Sequence, residues 1–339
     1  EEEYYWIWQG RTGLSLYHPA SEQISFASDF PNDTGKYHII KCIEKCRTQP
    51  GIWAASGNAC VVHLQHVSMI MKCIQEIRIP VACQARVLHE DDQGNLWIGT
   101  ENAIYQYSIS DGNMRRIHKD TGAINGIAIS PDKAIYYITE TPEFSCLPPD
   151  GQVHSIHKGE NYSSIIISPD NKIWTATLEG NVYSYHPQLQ TLAREDNACN
   201  ANGDAVKSMT VDNLGHLWIL ADQYVKEYNP KNHSFRILYN SDRFIQVDYF
   251  LSIGKIENGT ICLGGIGAFC LATPSPELDQ SPNDIKPVIS SIKTDGNRRI
   301  MGIDTQLIEL APDNVNIELS FSTLEHLHAG QISYAYRLK

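Results

Sequence analysis

Four groups of residues in this 339-residue chain have types and spacings that could carry chemistry. His63-Leu64-Gln65-His66 and His326-Leu327-His328 bring imidazoles close together, as a zinc site would need. The first pair lies in a strand pattern, where residues three apart point to opposite faces. The second pair shares a face, but the sequence does not supply the further ligands of a tetrahedral site. Asp92, Asp132, Asp170 and Asp212 could form a calcium or acid–base set. They recur, however, one per repeat at the same turn, so the expected role is capping of backbone N–H groups. Nine cysteines (Cys42, Cys46, Cys60, Cys73, Cys83, Cys146, Cys199, Cys262 and Cys270) include no CxxC pair. They read mainly as small buried hydrophobes. Cys262 and Cys270 sit in adjacent arms of one hairpin and could be close. No nucleophile elbow, P-loop, dinucleotide fingerprint or HExxH occurs. The expectation is a chain without catalytic residues, metal or cofactor.

The elements that would position any site are set by a repeat. Its clearest copy is Asp92-Gln93-Gly94-Asn95-Leu96-Trp97-Ile98-Gly99-Thr100, followed by the alternating Ile104-Tyr105-Gln106-Tyr107. Anchored on the aromatic position, copies fall at Trp8, Trp53, Trp97, Tyr136, Trp174, Trp218 and Cys262, with steps of 45, 44, 39, 38, 44 and 44 residues. A period near forty with strand-type units marks a radial or stacked array. Each unit reads as four short strands joined by Asp, Asn and Gly turns, types that accept left-handed backbone. Such a unit cannot bury both faces alone. Seven of them suit an all-β, seven-bladed β-propeller over residues 1–285, with Trp53, Trp97, Trp174 and Trp218 buried between blades.

Bulk properties narrow the function. A net charge of −12 disfavours nucleic acid or anionic lipid as a partner of this segment. No run of eighteen apolar residues is present, so any membrane attachment would need a helix downstream of this chain. After Cys270 the texture changes to the proline-rich Thr273–Asp284 stretch, a linker pattern. Three alternating strands follow, at Pro287–Lys293, Asn316–Phe321 and Ile332–Leu338. The first repeat lacks its inner strand and acidic turn, and the chain stops inside a strand, so both ends read as cut.

The Asp92–Thr100 unit, with Trp8-Gln9-Gly10-Arg11-Thr12-Gly13-Leu14-Ser15-Leu16-Tyr17, resembles the two-component-regulator propeller repeat. The tail, with Pro287-Val288-Ile289-Ser290-Ser291-Ile292 and Ile332-Ser333-Tyr334-Ala335-Tyr336-Arg337-Leu338, resembles the opening of the tyrosine-rich immunoglobulin-like domain that follows such propellers. The resemblance implies the extracytoplasmic sensor region of a Bacteroidetes hybrid two-component system. Residues 286–339 would be the N-terminal part of that Ig-like β-sandwich. It further implies a periplasmic location, a carbohydrate ligand, an upstream propeller as neighbour, a homodimer in the full receptor and a cytoplasmic histidine kinase. Two other readings stay open: a propeller enzyme of the streptogramin-lyase-like class, and a scaffold that binds nothing.

On any of these readings the functional surface is the axial face where loops converge, because loops on a rigid scaffold vary freely. The candidate ligand-binding residues are Arg11, Glu101, Asn102, Glu179, Asp222, Tyr162, Asp248 and Tyr249. Acids and amides suit sugar hydroxyls, and tyrosine faces suit pyranose C–H surfaces. As read, this face is acidic and offers few partners to an acidic sugar.

Overall fold

The computed structural model describes residues 4–8, 14–26, 40–56, 59–67, 70–80, 83–119, 122–200, 203–222, 224–239, 250–256, 259–265, 269–276, 288–294, 297–300 and 316–322. Two compact units divide at Ser275/Pro276.

The first unit is a seven-bladed β-propeller. Its blades 1 to 7 span residues 5–26, 40–78, 85–119, 124–158, 162–194, 208–239 and 250–272, each an antiparallel sheet in chain order. Blades 2 to 6 have four strands; blades 1 and 7 have three among the described residues. The first strand of blade 1 carries Trp8 and so matches the second strand of the other blades. No helix among the described residues is long and apolar enough to cross a membrane.

The repeated aromatic explains the ring. Trp53, Trp97, Trp174 and Trp218 are 0%, 8%, 2% and 0% exposed. Each lies in a cluster that also draws on the next blade. Trp97, for example, packs with Ile124, Ile127, Ile135 and Tyr137 of blade 4, and Trp218 with Ile261 and Leu263 of blade 7. Between blades 7 and 1 an edge-on contact joins Phe269 to Tyr17, ring centroids 4.9 Å apart. Close approach at blade 3 also requires Gly99, where a Cβ would lie 2.5 Å from Val87 Cγ1 and 2.8 Å from Ile124 Cγ2.

The turn before the aromatic strand corrects one expectation. In blade 3 the capping residue is Asp91, not Asp92. Asp91 Oδ1 accepts the N–H groups of Gln93 and Asn95, both at 2.9 Å, and Oδ2 accepts Trp97 Nε1 at 2.9 Å. Asp92 is exposed and pairs with Arg47 at 2.8 Å. The acid six residues before the aromatic is the one whose carboxylate reaches both the turn and the indole. Asp212 holds that place in blade 6, accepting from Leu214, His216 and Trp218, each at 2.9 Å. In blades 4 and 5 the place belongs to Ser130 and Ser168. Asp132 and Asp170 accept their hydroxyls, and Ser168 Oγ in turn accepts Trp174 Nε1 at 3.1 Å.

All nine cysteines are free, four buried, four half-buried and one, Cys73, exposed. In the blade 7 hairpin Cys262 faces Leu271, while Cys270 faces Leu263. That register puts the two thiols on opposite faces of the hairpin. His63 and His66 also take opposite faces of one strand. His63 Nε2 reaches Pro50 O at 2.8 Å, and His66 packs against Tyr4.

The second unit contains an antiparallel sheet with Val288–Thr294 between Asn297–Ile300 and Ile317–Ser322. Two of the three expected strands are present, and Asn297–Ile300 is additional. The expected strand at 332–338, with His326 and His328, lies outside the described residues.

Candidate functional site

One irregularity recurs at the axial end of the inner strands. The register between first and second strand slips between Ile40 and Cys42, Ala85 and Val87, Ile124 and Gly126, Tyr162 and Ser164, and Phe250 and Ser252. Each slip is a β-bulge, which places two residues against one and re-aims a side chain. In blade 6 Lys207 N donates to Leu220 O at 2.8 Å while Ser208 is the register partner of Leu220, giving the same two-against-one arrangement. The bulged residues of blades 2 to 6 are therefore Lys41, Arg86, Asn125, Ser163 and Lys207.

Four of these five side chains border one cavity of about 620 Å³, together with Gln84, Glu101, Tyr162 and Leu178. Lys41, Arg86 and Glu101 are exposed, while Gln84, Asn125 and Ser163 are half-buried. Among the described residues no hydrogen bond or ion pair engages the side chains of Lys41, Gln84, Glu101 or Asn125. Arg86 makes a long ion pair to Glu140 at 3.5 Å, its partner 68% exposed. Ser163 Oγ donates to Ala176 O at 3.2 Å. The cavity thus presents donors that the fold itself leaves unused.

Of the candidates read from sequence, Glu101 and Tyr162 border this cavity. Tyr162 is 3% exposed and its hydroxyl is bonded to His157, so it forms wall rather than an open aromatic face. Burial raises its hydroxyl pKa. Asn102 is exposed in the adjoining turn, and its N–H points to Thr100 Oγ1 at 3.4 Å. Glu179 follows the cavity residue Leu178 and accepts Asn161 Nδ2 at 2.7 Å. That bond, against a smaller effect of burial, holds its carboxyl below the usual range. Asp222 is committed to Lys207 at 2.8 Å. Arg11, Asp248 and Tyr249 lie outside the described residues.

Lys41, Arg86, Asn125, Ser163 and Lys207 were not anticipated, and they change the charge of this face. Cations from three bulges stand among the turn acids, so the face is mixed rather than acidic. A positional signal exists in the sequence. These residues lie eleven positions before the aromatic in blades 3 to 6, and twelve before it in blade 2. Their types differ, so only an alignment on the aromatic exposes the position.

Two further groupings have most of their polar side chains engaged within the fold, Lys133 and Gln93 of the first being exceptions among the described residues. A cavity of about 630 Å³ at the other end of blades 3 and 4 is lined by Arg47, Asp91, Asp92, Trp97, Gln106, Arg115, Lys133 and their neighbours. Arg47 pairs with Asp92 at 2.8 Å, Arg115 Nε donates to Gln106 at 2.7 Å, and Asp91 serves Trp97. In blade 6, Asp212, His216 and Glu227 hold atoms within 4.8 Å of one another, all buried. His216 Nδ1 lies 3.0 Å from Glu227 Oε1, Glu227 Oε2 accepts Arg236 Nε, and Asp212 accepts the turn and the Trp218 indole. The trio works as a cross-linked polar core within its blade.

Residues 82–102 match the family described as the two component regulator propeller. Blade 3 carries that repeat. The matched stretch runs from the inner strand through Arg86, Asp91 and Trp97 to the Glu101 turn, so it contains both the packing aromatic and three cavity residues, Gln84, Arg86 and Glu101. Two solved structures with this fold are extracellular domains from B. thetaiotaomicron, each assigned as a hybrid two component system. BT3049 is 17% identical with a TM-score of 0.66 over 94% of this chain and 45% of its own. BT4673 is 15% identical with a TM-score of 0.65 over 85% of this chain and 38% of its own. This chain therefore spans less than half of either domain. Virginiamycin B lyase from Staphylococcus aureus is also similar, at 13% identity and a TM-score of 0.60 over 78% of this chain and 89% of its own. No curated protein matches. At these identities the likeness is one of fold, shared by receptor domains and an enzyme.

Proposed function

We propose that this chain is a ligand-binding propeller from the extracytoplasmic sensor region of a hybrid two-component receptor, and that it takes a carbohydrate at the axial cavity. The observation that carries the reading is the convergence of unused polar side chains from blades 2, 3 and 4 on one cavity. A fold gains nothing from presenting such groups together, whereas a polyhydroxylated ligand needs them. The cavity volume falls within the range of small-molecule sites. The blade 3 repeat and the receptor-domain relatives favour a sensor over the lyase reading, and the described lining residues include no histidine to serve as a general base. On this reading the segment itself turns over no substrate. An upstream propeller, an Ig-like domain, a homodimer and a cytoplasmic histidine kinase would complete the receptor at the inner membrane, with this segment in the periplasm.

Isothermal calorimetry against a panel of neutral and acidic oligosaccharides tests the proposal. Glu101→Ala and Asn125→Ala should each weaken binding about tenfold, the usual worth of a ligand hydrogen bond to a charged or well-placed polar group. Binding unchanged by both substitutions would move the ligand off this face. Hydrolysis or elimination of any panel member by the purified chain would restore the enzyme reading.

A further inference from the structure

We infer that the ligand of the axial cavity bears a carboxylate, held between Lys41 and Arg86, and is therefore an acidic sugar rather than a neutral one. The inference rests on the carbohydrate reading of this cavity and assigns its ligand a charge.

The first argument is the balance of donors and acceptors. Lys41 and Arg86 carry only donors, while the amides of Gln84 and Asn125 each offer a donor and an acceptor and leave the balance unchanged. Glu101 is the one carboxylate among the described lining residues. A neutral sugar hydroxyl donates as well as accepts, so a site for it alone would balance donors with acceptors. Here the two cations would be left facing hydroxyls.

The second argument comes from the backbone. Lys41 and Arg86 hold the same bulged position in adjacent blades, so two cations enter the cavity from equivalent strand positions. A guanidinium offers a planar fork that matches a carboxylate, and an ammonium beside it adds a compact charge. Asn125 and Ser163 hold that position in the next two blades and suit ring hydroxyls. The bulge ring thus runs from charged to neutral donors around the cavity, which would orient a sugar with its acid end toward blades 2 and 3.

The third argument is the ease of exchange. Arg86 meets Glu140 at 3.5 Å with both side chains well exposed, and such pairs are weak. A ligand carboxylate can replace Glu140 at little cost. Lys41 has no ion pair to give up among the described residues.

The test uses the whole chain and matched probes: oligosaccharides containing galacturonate, glucuronate or mannuronate, each beside its carboxyl-reduced neutral twin, with citrate as a simple acid. The expected result is calorimetric binding of at least one acidic member. Reduction of its carboxyl should weaken binding about tenfold or more, as should Lys41→Ala or Arg86→Ala, with partial retention in Arg86→Lys. Added salt should weaken the acidic probe and leave any neutral one unchanged. Preference for a neutral twin, or acidic binding indifferent to both alanine substitutions, overturns the inference while leaving a carbohydrate site possible. Binding of citrate alone, lost in Arg86→Ala, retains the anion site and overturns the sugar. No binding of any acidic probe overturns the inference outright. Thermal melts of each variant, expected to match the parent, exclude loss of fold as the cause.

Discussion

Two cavities among the described residues of the propeller are nearly equal in size, about 630 Å³ and about 620 Å³, and lie at opposite ends of its inner strands. In the first, between blades 3 and 4, most of the polar groups serve the fold, Lys133 and Gln93 excepted. Asp91 closes a turn and accepts an indole, Arg47 meets Asp92, and Arg115 meets Gln106. In the second, the side chains of Lys41, Gln84, Glu101 and Asn125 have no hydrogen bond or ion pair among the described residues. A buried polar group must be satisfied, whereas an exposed one is free to wait for a ligand. Size therefore does not separate a structural cleft from a binding site here; the commitment of the polar atoms does. Substitutions at the first cavity should change stability, and those at the second should change binding.

The largest effect expected is at Trp97, which walls the first cavity and seals blade 3 against blade 4. Trp97→Ala should destabilise the chain by about 3–5 kcal/mol, the usual cost of emptying a large aromatic site. Urea unfolding followed by far-ultraviolet circular dichroism would measure it. Next comes the turn acid. Asp91→Ala leaves the Trp97 indole and two backbone N–H groups without their acceptor, a loss of about 1–3 kcal/mol. Asp92→Ala, one residue on, removes only an exposed pair and should cost under about 1 kcal/mol. Equal losses at the two positions would break the distinction between committed and exposed acids.

The same acid gives the contrast a pH axis. Burial opposes ionisation of Asp91, but hydrogen bonds from Trp97, Asn95 and Gln93 outweigh it and hold the carboxyl below its ordinary value. A carboxyl depressed by folding contributes stability that is fully present above its unfolded pKa of about 3.9. The contribution is lost as pH falls through the lower folded value. Below about pH 4 the parent chain should therefore lose more stability than Asp91→Asn, and the two melting curves should converge. A constant gap down to pH 2 would contradict the depressed carboxyl.

How much of this was legible beforehand depended on whether a feature repeats in residue type or only in position. The aromatic repeats in type, so Trp53, Trp97, Trp174 and Trp218 marked the blade boundaries directly. The turn acid was misplaced by one because Glu90-Asp91-Asp92 offers three adjacent acids, and only the hairpin geometry selects Asp91. The bulge ring repeats in position alone. Lys41, Arg86, Asn125, Ser163 and Lys207 share no single residue type, and the turn of blade 2 offsets its own member by one residue. A bulge also breaks the simple alternation by which inner-strand side chains are assigned to faces. The sequence therefore pointed to the face through Glu101 without revealing the cations beside it.

A smaller effect is expected at Lys133, which lines the first cavity with backbone φ at +68°. The equivalent residue is Gly94 in blade 3 and Gly215 in blade 6, with φ of +77° and +86°. A left-handed conformation costs a residue with a Cβ about 1–2 kcal/mol, and glycine's extra chain entropy returns about 0.5–1 kcal/mol of any relief. Lys133→Gly should therefore stabilise the chain by up to about 1 kcal/mol, seen as a higher melting temperature.

The smallest effect should come from the second cavity. Lys41→Ala and Asn125→Ala remove side chains without hydrogen bonds among the described residues, and Arg86→Ala removes one long exposed ion pair. Each should shift unfolding free energy by no more than about 0.5 kcal/mol, the range of ordinary surface substitutions. The triple variant should shift it by little more than the sum, because none of the three bonds to another. Here a null result in the melt is the informative one, provided the same variants are carried into the calorimeter. A loss of several kcal/mol would mean that these groups brace the inner strands, and the two cavities would then be alike in kind. An unchanged melt paired with lost binding would establish that the bulges spend their irregularity on a ligand.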